Sequence, residues 1–104
     1  MKTESEIILE YETAVSQADS LEHSADEMSR TVHGKIMEIR ERLAVSWQGE
    51  GAEAFQEKCA VLSGKSEQAC GALREIGGAI RTIAQNIYNA EMRSLEIARM
   101  RDYT

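Results

Sequence analysis

From residue 52 onward, apolar or small side chains recur in steps of three and four without a break: Ala52, Phe55, Cys59, Leu62, Ser66, Ala69, Leu73, Ile76, Ile80, Ile83, Ile87, Ala90, Ser94 and Ile97. Such a seam, held over more than six heptads, leaves little choice but a long helix laid against another helix. The first half carries the same period at Ile8, Tyr11, Val15, Ala18, Glu22, Ala25, Ser29, Val32, Ile36, Ile39 and Leu43, with Glu22 and Ser29 as polar interruptions. Ile7, Ala14, Leu21 and Met28 each stand one position before a seam residue and widen the stripe. The pattern predicts helix one over about 5–44, a turn over about 45–51 and helix two over about 52–100. At about 1.5 Å per residue each helix would be roughly 60–70 Å long.

The break is Ser46-Trp47-Gln48-Gly49-Glu50-Gly51, where glycine permits a sharp reversal at low steric cost. Glu50 and Glu53 then suit the positive end of a helix dipole. Two long amphipathic helices joined this tightly make an antiparallel hairpin, so the fold class is all-α. Gly77 and Gly78 fall inside helix two, but the seam keeps its phase through them; the expected use is close approach of another helix, with a local kink as the alternative.

The composition agrees. The 104 residues contain no proline and suffice for one small domain. A net charge of -6 argues against nucleic-acid binding. Most of the acid lies before residue 28, as Glu4, Glu6, Glu10, Glu12, Asp19, Glu22, Asp26 and Glu27 against Lys2 alone; this reads as a solvated helix face or as steering toward a basic partner. Cys59 and Cys70 on one helix would stand about 16 Å apart, too far for a disulfide, and read as small buried apolar residues. No metal-ligand spacing and no cofactor motif is present, and neither a Sec-type leader nor a membrane-spanning run is expected from the sequence.

In this setting the turn Trp47-Gln48-Gly49, near the chain midpoint and followed by Ala52 and Phe55, resembles the WXG family, the early-secreted-antigen-like proteins of type VII secretion. The resemblance covers the whole chain. It implies a helical hairpin that pairs into a four-helix-bundle dimer, as a homodimer or with a related hairpin. It also implies export in folded form by a Sec-independent type VII route, the protein being cytoplasmic before export. In such proteins the turn and a tail motif of the other subunit form a composite signal read by a secretion ATPase, which makes Trp47 and Gly49 the expected export-signal turn. Trp47 reads equally as a hydrophobic plug at the bend, and Gly49 as backbone geometry.

The tail differs from the family pattern of Tyr followed four residues later by an acid. Tyr88 is followed at that distance by Met92, and Glu91 comes one residue early, so export through a partner's tail is an alternative. Tyr88, Met92 and Leu95 line one face about 100° from the seam. They either cover the start of helix one, around Ile7 and Leu9, or form an exposed docking stripe rimmed by Glu91 and Arg93. The dimer interface is expected where the wide part of helix one meets small flanking residues of helix two: Leu21, Met28, Ala69, Leu73, Ile76, Gly77 and Ile80, with Gly77 at a crossing with the second hairpin.

No nucleophile–base pair, acid pair or phosphate loop is present, and a two-helix hairpin offers no enzyme-like concavity, so no catalytic residue is expected. The expected function is therefore that of a non-enzymatic, virulence-associated secreted hairpin or its dimeric partner. The alternatives are a targeting factor or chaperone for the N-terminal helices of a larger secreted toxin, and a cytosolic coiled-coil adaptor.

Overall fold

A computed structural model describes residues 1–102. Among them there are two long helices, α1 (Glu4–Ser46) and α2 (Glu50–Arg101), which make a helical hairpin. Both ends of α1 are satisfied locally. Thr3 Oγ1 accepts from the Glu6 N–H at 3.2 Å, an N-cap of the kind that contributes about 1 kcal/mol. At the other end the Trp47 N–H donates to the Leu43 carbonyl at 2.8 Å, and Ser46 Oγ donates to the Arg42 carbonyl. The chain then reverses at Gly49, whose φ of 110° is costly for any residue with a Cβ. Glu50 and Glu53 open α2, and Arg99 and Arg101 close it, each charge at the dipole end that favours it.

The chain divides into two compact units, residues 1–22 with 75–102, and residues 23–74. The first unit, containing both chain ends, pairs its α1 and α2 segments antiparallel. Tyr11 stacks on Tyr88 with ring centroids 5.0 Å apart and donates to Gln85 Oε1 at 2.9 Å. Arg99 bonds Glu4 at 2.9 Å, Lys2 reaches Glu91 at 2.7 Å, and Arg81 bridges Asp19 and Glu22. Ile7, Ala18 and Ala84 are its buried apolar residues. In the second unit Arg74 bonds Asp26 at 2.9 Å, Ser29 bonds Glu67, and Arg40 Nε donates to Gln56 Oε1 at 2.6 Å. Its core is Ala25, Ile36, Cys59 and Cys70, the last two free thiols.

The α1 row expected from the sequence faces α2, wholly or half buried, apart from Ile39. The α2 row differs. In the second unit Gln56, Cys59, Ser63, Ser66 and Cys70 are covered while Phe55 and Leu62 are exposed. In the first unit Gly77, Ala84, Tyr88, Glu91 and Leu95 are wholly or half covered, while Ile76, Ile83 and Ile87 are exposed. Gly77 and Ala84 each follow an isoleucine by one residue, so the row facing α1 is turned by about 100° from the isoleucines. The reason is steric. α1 sets the Glu22 side chain against α2 at Gly77, where a Cβ would meet it at 2.9 Å, so a residue without a side chain stands there.

Candidate interaction sites

The turn is built within the second unit. Trp47 stands just beyond the end of α1 and its ring lies 5.9 Å from that of Phe55, one turn into α2. The contact tucks the indole over Gly51, where an added Cβ would meet Trp47 Cζ2 at 3.2 Å. Gly51 thus serves the packing of the indole, and Gly49 the reversal. Trp47 nevertheless stays 43% exposed. It borders an open groove of about 800 Å³ whose lining includes Met37, Ala44 and Ala52. Arg40 and Gln56 lie along the groove, locked to each other by the Nε bond and by Gln56 Nε2 donating to the Arg40 carbonyl at 3.3 Å. Glu41, Glu53 and Glu57 also line it, so that the groove combines apolar and acidic side chains.

The tail residues do not form an exposed stripe. Tyr88, Met92 and Leu95 are half buried, and Tyr88 packs on Tyr11. Glu91 holds Lys2, whose pKa is pushed above the usual lysine value by hydrogen bonds to Glu10 and Glu91. These side chains belong to the pairing of the hairpin's own two ends. Their position one residue after the isoleucine row places them on the side facing α1.

The expected dimer residues separate into three settings. Met28, Ala69 and Ile76 are exposed, Leu21, Leu73 and Ile80 are half buried, and Gly77 is buried. Gly77 does not mark a crossing with a second hairpin. A Cβ there would lie 2.9 Å from Glu22 Oε1 and 3.0 Å from Glu22 Cγ, so its own α1 fills the space. The Glu22 carboxylate is in turn bound by Arg81, which also holds Asp19. Hydrogen bonding to Glu22, then to Asp19, raises the Arg81 pKa above the ordinary arginine value. This Glu22–Gly77–Arg81 knot was not recognised from the sequence. Its trace there is a glutamate that interrupts the α1 seam level with a glycine and one turn from an arginine.

Among the described residues no group of three or more His, Cys, Asp or Glu side chains is placed to hold a metal ion. None of the helices is long and apolar enough to cross a membrane. No protein-family model matches the chain, and no curated protein or solved structure matches it either.

Proposed function

We propose that the chain is a non-enzymatic helical hairpin of the WXG type, exported by a Sec-independent type VII route or serving there as the paired partner of another hairpin. One observation carries this reading: Trp47 is presented at the bend instead of being enclosed by it, at 43% exposure and beside an open groove. An indole held on Phe55 and Gly51 is rigid enough to be read and open enough to be reached. The apolar and acidic lining of the groove suits a contacting surface that carries apolar and basic side chains.

A second reading is favoured by the tail. Tyr88 is half buried against Tyr11, and Met92 stands where an acid would complete the family's motif. A hairpin with this tail fits a targeting partner for a larger exported toxin, with the tail signal supplied by that toxin.

Trp47→Ala, followed by immunodetection in culture supernatant with and without the secretion ATPase, tests the proposal. Secretion should fall at least tenfold while helicity by circular dichroism is kept, since a half-exposed indole covers little of either unit's core. Equal amounts of the two proteins outside the cell would remove Trp47 from the export signal, and absence of the wild type from the supernatant would leave a cytosolic adaptor as the better account.

A further inference from the structure

The N-terminal segment of the first unit is lightly held. Among residues 1–17 only Ile7 is buried, whereas from Ala18 the hold tightens, with Ala18 itself buried and Arg81 bound to Asp19 and Glu22. Residues 1–11 are tied to α2 through exposed polar groups: Lys2 to Glu91 at 2.7 Å, Glu4 to Arg99 at 2.9 Å and Tyr11 to Gln85 at 2.9 Å. Lys2 lies ahead of α1 and spans from Glu10, at 2.6 Å, to Glu91. Lys2, Ile7 and Glu91 line two grooves, one of about 240 Å³ with Ala90 and Ser94, the other of about 200 Å³ with Tyr11 and Tyr88. Sparse burial and exposed hydrogen bonds mark a segment that opens locally while the rest of the fold is kept. Exposed ion pairs do little to prevent this, since water solvates both charges in the open form.

Two α2 side chains are held by this segment. Tyr88 is half buried, its ring 5.0 Å from that of Tyr11, and the Glu91 side chain is 26% exposed with Lys2 on its carboxylate. We propose that residues 1–11 are an autoinhibitory latch: closed, they hold Tyr88 and Glu91 against α1, and local opening presents those two side chains to the protein that reads the tail. This rests on the export reading above and adds to it a control on when the tail can be read. Opening is an exchange of partners. Glu91 gives up Lys2 and takes a cation from the reader, so its carboxylate is paired before and after the step. The reader is therefore a surface with a lysine or arginine beside an apolar seat for the Tyr88 ring. Arg81, bound beyond Ala18, keeps the remainder of the unit paired while the latch is open. Because the open form is the one bound, the amount exported follows its population.

Two measurements on Lys2→Met and Lys2→Arg test this: hydrogen–deuterium exchange of the purified full chain, and ATPase-dependent release into the supernatant relative to cell-associated protein. Lys2→Met removes both bonds of the Lys2 ammonium, and Lys2→Arg keeps the charge. Lys2→Met should speed exchange of the α1 amides before Ala18 about threefold, leave those of residues 23–46 unchanged and keep the overall helicity. Its export should rise by the same factor, and Lys2→Arg should match the wild type in both measurements. Exchange unchanged by Lys2→Met would overturn the latch. Faster exchange with unchanged or lower export would overturn the latch as a control on the tail, while leaving the export reading in place. Absence of both wild type and Lys2→Met from the supernatant would overturn the export reading and this control together.

Discussion

Ile76, Gly77 and Gly78 are neighbours in sequence, and α2 gives them three different surroundings. Ile76 is exposed, Gly77 is buried beneath Glu22, and a Cβ added at Gly78 would meet nothing within 4 Å. The fully buried α2 positions of this unit are thus small ones, Gly77 and Ala84, while Ile76, Ile83 and Ile87 lie open, the reverse of a hairpin that closes on its own greasiest side. Small residues allow the two backbones to come close and to seat Glu22, Tyr11 and Tyr88 between them. Ile76, Ile83 and Ile87 are left uncovered by α1. The two glycines show the same division in miniature: one is required by a neighbour, and the other is only tolerated.

The largest effect expected inside the hairpin is that of Gly77→Leu. It drives a bulky side chain into the Glu22 carboxylate and displaces it from Arg81. Overpacking of this sort costs about 1–3 kcal/mol or more. The melting temperature should drop by at least about 4–8 °C, the shift for each kcal/mol in a domain of 60–100 residues. A melting curve unchanged by the substitution would mean that Gly77 is not held against α1.

Next in size is the contrast between Gly77→Ala and Gly78→Ala. An alanine in place of a helical glycine gains about 1 kcal/mol when nothing obstructs it. Gly78→Ala should realise that gain in urea unfolding, and Gly77→Ala should not, because its Cβ meets Glu22 at 2.9–3.0 Å. In a Glu22→Ala background the Gly77→Ala gain should return. A double-mutant cycle that came out additive would break the link between the two positions.

The ion-pair flank offers a smaller test. Asp19, Glu22 and Arg81 are all partly exposed, and exposed pairs contribute about 0–1 kcal/mol each. Asp19→Asn should therefore shift the urea midpoint barely outside error, and 1 M salt should erase the difference from wild type.

The smallest effect concerns Lys2. Its folded pKa is raised by hydrogen bonds to Glu10 and Glu91, at 2.6 and 2.7 Å. A raised pKa in a cationic group stabilises the fold fully below the ordinary lysine value of about 10.4, and this contribution is lost as pH rises through the folded value. The difference in stability between wild type and Lys2→Met should stay constant from pH 7 to 10 and shrink in more alkaline solution. A difference that grew with pH would reverse the assignment.

Much of this molecule was written in its residues. The heptad period, the absence of proline and the glycine-bracketed turn determine two long helices with a reversal at 47–49. Both helices extend past the expected ends, α1 from Glu4 to Ser46 and α2 from Glu50 to Arg101, because Thr3 caps the first and the second begins directly after Gly49. What a period of three and four residues cannot specify is direction, since adjacent rows on one helix share the same period. The tertiary structure chose the row of Cys59, Cys70, Gly77 and Ala84 for contact with α1, and that choice decided everything rotated with it. It turned Tyr88, Met92 and Leu95 inward, set Gly77 under Glu22 and left Ile76, Ile83 and Ile87 uncovered. The physical reason is that burial belongs to a pair of surfaces: which side of α2 faces inward depends on the shapes that α1 brings to meet it.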